Sequence, residues 1–258
     1  MPPHTPRPRP PRRPWWLPFG LLAAALTLVT AVHAQPSTRA FVACSSDGQA
    51  APRRLVERFL DADCEACWRQ APGGGTASRP RASAGGDAVI DWVLPGRLGD
   101  EAPLSAVALR DGVWRLQALQ QDRPATSGVR EQVLAAAGDA SAPRLRVAHG
   151  SAVLGYIGVS VELTPARGGP WRVWLALTEQ LPAGTEGSAV PRELLRGSLQ
   201  LDWSARAAQG RAATPAPWRE RRVMQLPEGA NPDRLRLTGW VEDAQGRMAA
   251  LVRSACPR

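Results

Sequence analysis

Residues 53–68 read RRLVERFLDADCEACW, and the fold expected of this chain turns on them. An apolar, strand-like run (Leu55, Val56, Phe59, Leu60) leads into an acidic turn, Asp61 to Asp63. Two cysteines spaced by two residues follow, Cys64 and Cys67, and then Trp68. A buried strand that delivers a cysteine to the start of a helix places its sulfur near unpaired backbone N–H groups, which favour a thiolate. The C-x-x-C spacing lets the two sulfurs meet across one turn of chain. The same spacing is also half of a zinc site.

The N-terminal 34 residues have the layout of a secretory signal peptide. Arg7, Arg9, Arg12 and Arg13 give a positive start, 17–32 is apolar, and Ala31-Val32-His33-Ala34 is a small-x-small cleavage signal before Gln35. An uncleaved anchor is the alternative, for which the apolar run is short. Arg12-Arg13 meets Pro14 and lacks the polar flanks of a twin-arginine signal. Cleavage removes four arginines and no acid, taking the formal charge from +9 to +5. All 32 basic residues are arginine, which keeps its charge at any accessible pH. They are scattered, with no aromatic–basic interleaving, so no nucleic-acid partner is expected, and no membrane contact after cleavage. The expected location is periplasmic or secreted.

Export gives the four cysteines, Cys44, Cys64, Cys67 and Cys256, an oxidising setting in which they pair. Four cysteines allow three connectivities, and sequence alone does not choose among them. Pairing Cys64 with Cys67 leaves Cys44 with Cys256, which would close a loop of roughly 200 residues, worth on the order of 4–5 kcal/mol. On this reading Cys44–Cys256 is structural and Cys64–Cys67 is the active pair.

Along the chain, 36–52 is a leading segment, and 53–60 is a helix-like or strand-like stretch that leads to the cysteines. The glycines Gly73 to Gly75 end any helix begun at the cysteines. Residues 88–94 read as a buried strand, and 104–109 and 113–119 as strands flanking the turn Arg110-Asp111-Gly112. Residues 127–137 read as the clearest helix: Ser127 caps it, Val129, Val133, Leu134 and Ala137 line one face, and Gly138 ends it. A boundary is expected at 138–143. Beyond it the pattern is β throughout, with strands at 144–149, 151–163, 171–178, 194–203, 219–226, 233–242 and 246–255, and a polar loop at 204–217. Many short strands with regular turns imply a small sandwich.

The residues around the cysteines resemble a family of secreted proteobacterial proteins of unknown function, in which a thioredoxin-like domain precedes a β-rich domain. The family's strand ends E-L-F-T-S-Q-G-C-S-S-C-P-P-A, similar to the run from Glu57 through Phe59 to Cys64 and Cys67. Its block H-V-D-Y-W-D-x-x-G-W-K-D resembles Val89-Ile90-Asp91-Trp92 with Gly96 to Asp100, and its final hairpin resembles Gly239 to Val252. The resemblance implies an α/β plus all-β protein: a shortened thioredoxin-like domain over 36–140 and a β-sandwich over 141–258. It also implies that Leu116 stands where the family has the cis-proline facing the cysteines, so that this peptide is trans. The shortened helix and the acids Asp61, Asp63 and Glu65 both raise the thiol pKa and favour the oxidised form.

Other chemistries lack parts. Zinc needs about four ligands, and beyond the leader the one histidine is His149. That histidine, read as a surface or strand-end residue, has no Gly-x-Ser-x-Gly partner for a hydrolytic triad. A copper-carrying role would need a distal histidine that the sequence does not locate. No metal and no cofactor are expected. Trp68, Trp92, Trp114 and Leu116 form either a rim that docks thiol-bearing exported proteins or simply core, while Trp171, Trp174, Trp203, Trp218 and Trp240 read as sandwich core. The expected function is thiol–disulfide exchange, with Cys64 attacking and Cys67 resolving. The alternative is a non-catalytic envelope protein whose cysteines are staples.

Overall fold

Alternation of apolar residues at a period of two dominates the chain, and both faces of the central strands find cover. A computed structural model describes residues 44–70, 86–136, 143–164, 169–203 and 217–257, all within one compact unit, Ala40–Arg258. The strands are β1 (Cys44–Ser45), β2 (Arg54–Asp61), β3 (Ala88–Leu94), β4 (Val129–Ala135), β5 (Arg144–Val153), β6 (Tyr156–Thr164), β7 (Arg172–Leu181), β8 (Arg192–Asp202), β9 (Trp218–Gln225), β10 (Leu235–Glu242) and β11 (Met248–Arg253). Two α-helices join them, α1 (Glu65–Arg69) and α2 (Asp111–Ala118). The expected leader over 1–34, the glycine run, residues 138–142 of the expected boundary and 204–216 of the polar loop lie outside the described residues.

The strands make two sheets, one of four in the order β1-β5-β6-β9 and one of seven in the order β11-β10-β7-β8-β3-β2-β4. Strand β2 runs parallel to β3, and β3 meets β8 in parallel at Asp91 and Leu194; the other pairs are antiparallel. This overturns the expected fold class. The chain is mostly β, without the α/β layering of a thioredoxin-like domain, and strands from both sides of 137–142 share the larger sheet.

Strand β7 shows how the layers form. Val173, Leu175 and Leu177 point to one face and pack with Val147, Val159 and Val161 of the smaller sheet. Trp174 and Ala176 point to the other face and pack with Phe59, Trp92 and Leu116. Gly239 lets the two sheets approach, because a Cβ there would stand 2.5 Å from Val147 Cγ1. The β5–β6 hairpin turns on Leu154 and Gly155, both at positive φ (51° and 77°), the two-residue geometry that matches strand twist.

Two local expectations exchange places. Residues 127–137, expected as a helix, hold strand β4, which pairs antiparallel with β2 from Leu60↔Val129 to Arg54↔Ala135. Valines at 129 and 133 fit a period of two as well as a helical face, and the unpaired edge of β2 supplies the partner that decides. Residues 113–119, expected as a strand, lie in α2 apart from its C-cap Leu119. Its buried residues Gly112, Arg115 and Leu116 repeat at helical spacing, and Gly112 fits so closely on β3 that a Cβ would stand 2.6 Å from Leu94 Cδ2. Residues 104–109 hold a single 3-10 turn, Ser105–Val107.

Helix α2 thereby carries a cation into the core. Arg115, fully buried, bonds Glu57 through Nε (2.8 Å) and a terminal nitrogen (2.8 Å), and pairs with Glu242 at 2.7 Å. Its guanidinium lies 4.7 Å from the Trp174 ring and 5.1 Å from the Trp240 ring, and both indole N–H groups donate to Glu242. Burial pushes the Glu57 carboxyl up, with the Arg115 charge opposing. Such a cluster is stable only when each member keeps its partners.

Candidate functional site

The cysteine turn is built from the end of β2. The N–H of Ala62 donates to Leu94 O, and that of Cys64 to Asp61 O. Asp61 Oδ1 accepts from the N–H of Asp63, and Asp63 in turn accepts from the N–H groups of Arg97 (2.9 Å) and Leu98 (3.3 Å). Arg123 pairs with Asp61 and donates to Pro95 O. Asp61 and Asp63, expected from sequence to raise the thiol pKa, thus organise the turn, and Glu65 pairs with Arg69 along α1.

Cys64 and Cys67 are joined in a disulfide, and Cys64 is the N-cap of α1, its Sγ accepting from the N–H of Cys67 at 3.2 Å. With five residues, α1 has little dipole to offer a thiolate. Cys64, expected to be the exposed attacking thiol, is 7% exposed; Cys67 is the more accessible, half-buried against the cluster of Leu60, Trp68 and Val93.

The far end of α1 is clamped by Arg192 of β8. One guanidinium nitrogen donates to the carbonyls of Cys67 (3.1 Å), Trp68 (2.6 Å) and Gln70 (2.7 Å), and the Arg192 carbon lies 5.0 Å from the Trp68 ring. The carbonyls that a helix end leaves unpaired thus find a cation. Burial lowers the Arg192 pKa, and Asp91, at 3.4 Å, opposes this. Asp91 also pairs with Arg58 at 2.8 Å and accepts from the N–H of Glu193. The Trp68 indole donates to Glu186 O at 2.7 Å, and Ser188 Oγ donates to Trp68 O.

The four residues expected to rim the cysteines do not gather there. Trp68 is buried beside them. Trp92 stacks on Phe59 at 5.6 Å in the cluster that also takes Leu116, and Trp114 is exposed on α2. Leu116 sits on a helix, so no loop at that position faces the sulfurs.

Cys44 and Cys256 form the second disulfide, bridging residues 212 apart. His149 lies beside it: Cys44 is the cross-strand partner of His149, and an imidazole nitrogen and the two sulfurs all lie within 4.8 Å of one another. His149 is buried rather than at the surface, and burial lowers its pKa while the contact of Nδ1 with Gly150 O raises it.

Comparison of the chain with protein-family models finds no match, and comparison with curated proteins finds none either. Among the described residues no helix is long and apolar enough to cross a membrane. The residues that sequence reasoning missed are Arg192, Arg115, Glu57 and Glu242. A signal was present at Arg115 alone, a single charge within Val113-Trp114-Arg115-Leu116, where burial demands a partner; Glu57, Arg192 and Glu242 each stand next to another charge and read as surface.

Proposed function

We propose that this chain is a non-catalytic protein of an oxidising compartment, periplasmic or secreted, in which Cys64–Cys67 is a staple and not a redox centre. The observation that carries this reading is the immobilised α1 turn. Arg192 holds three of its carbonyls, Asp63 and Asp61 hold its approach, and the Cys64 sulfur is buried. A reactive cysteine needs an accessible, electropositive setting that stabilises its thiolate; here the cation is spent on carbonyl oxygens. Two disulfides among four cysteines suit an oxidising compartment.

A second reading, thiol–disulfide exchange with thiol-bearing exported proteins, draws on the half-buried Cys67 sulfur. Attack there would release Cys64, whose sulfur already accepts an N–H bond from Cys67. Turnover of a model disulfide by the purified mature chain separates the two. The staple reading expects no rate above background, and the same null rate from Cys67→Ser. A rate that Cys67→Ser abolishes overturns it.

A further inference from the structure

We propose that Cys44, Cys256 and His149 form a copper(I) site when the disulfide between the two cysteines is reduced. The argument is independent of the role of Cys64–Cys67. The three ligand atoms lie within 4.8 Å of one another; the two sulfurs, joined in the disulfide, part on reduction, and two metal–ligand bonds of about 2.0–2.3 Å bridge donors up to about 4.6 Å apart. His149 is 4% exposed, and its Nε2 has no hydrogen-bond partner among the described residues. With Nδ1 donating to Gly150 O at 3.1 Å, Nε2 carries the lone pair that a metal requires.

The cluster does not depend on the S–S bond for its assembly. Cys44 is held opposite His149 by the β1–β5 register. Ser45 and Ala255 exchange backbone hydrogen bonds in both directions (3.0 and 2.9 Å), and the N–H of Ser46 donates to Val147 O. These bonds fix the backbone next to both cysteines after the sulfurs part. Cys256 is exposed, which gives reductant and ion a way in, whereas Cys44 and His149 are buried. Two thiolates and an imidazole are soft to borderline ligands; zinc held by three such groups keeps a water in its fourth position, whereas copper(I) is satisfied by the three alone.

The reductant is a dithiol. Its thiolate attacks the Cys256 sulfur, the S–S bond breaks, and Cys44 leaves as a thiolate and takes a proton. The reductant's second thiol then releases Cys256 and the reductant departs as its own disulfide. Two electrons and two protons have moved to the chain. Copper(I) replaces the two thiol protons, which pass to solvent, and no further electron is transferred.

The test uses the mature chain carrying Cys64→Ser and Cys67→Ser, so that one cysteine pair remains. Anaerobic copper(I) titration against a chromogenic chelator is expected to give one tightly bound equivalent after reduction and none in the disulfide form. His149→Ala should weaken binding by at least the roughly 10- to 100-fold that loss of an outer partner costs at a metal site. X-ray absorption of the loaded chain is expected to show two sulfurs and one nitrogen, a readout that stands if the His149 variant fails to fold. No binding by the reduced chain, a shell without nitrogen, or tighter binding of zinc(II) than of copper(I) overturns the proposal.

Discussion

Cys44–Cys256 joins residues 212 apart, between a two-residue strand and the segment after β11, with one sulfur on an exposed residue and an imidazole alongside. Cys64–Cys67 joins residues three apart, at the end of a buried strand, with its turn held by Asp61, Asp63 and Arg192. The spacing that drew attention to the second pair is the less informative of the two. Chemical character at a cysteine comes from what surrounds it, and the surroundings favour reactivity at the pair that sequence reading set aside as structural.

The largest expected effect separates the pairs by the loops they close. Replacing Cys44 and Cys256 by serine should cost about 5 kcal/mol in the chain-entropy account, read from urea unfolding. A cost under about 2 kcal/mol would mean that the unfolded ensemble keeps the two ends close without the bridge, against the chain-entropy account. Next, Arg192→Met leaves Asp91 with one cation fewer and the α1 carbonyls without a donor. We expect a loss of about 3–5 kcal/mol and faster reduction of Cys64–Cys67 by a dithiol. An unchanged reduction rate would separate the clamp from the disulfide. Replacing Cys64 and Cys67 by serine should cost about 2 kcal/mol, because the loop is short.

The smallest effect is a pH dependence at Glu193, which follows Arg192 in β8. Burial raises its pKa above 4.5, with Arg253 and Arg236 opposing. The folded chain therefore holds this proton more tightly than the unfolded one, and stability falls as pH rises from about 4.5 through the raised value. Glu193→Gln should gain stability relative to the parent over that rise, as measured by thermal unfolding at a series of pH values. A difference that does not change with pH would remove the titration from the account.

Most of the strands were legible because β7 and β10 carry an alternation that no helix would keep: Val173, Leu175 and Leu177 against Trp174 and Ala176. The layering was not. Strand β2 finds its antiparallel neighbour in β4, a segment whose valines fit a helical face as well as a strand, and β3 finds β8 across about a hundred residues. Pairings of that kind depend on backbone edges that sequence does not display. Helix α2 was hidden because Trp114, Leu116 and Ala118 alternate with Arg115 and Gln117, while the residue that fixes its face is a buried arginine. At the candidate site the cysteines themselves were legible. Arg192 was not, since it lies more than a hundred residues from the turn it holds.

The central claim, that the Cys64–Cys67 turn is a staple, is tested most directly by its reduction potential in the Cys44→Ser, Cys256→Ser background. Equilibration with dithiol redox buffers of known composition is expected to give a value below about −300 mV. A value near about −200 mV or above, in the range of catalytic exchange proteins, would contradict it.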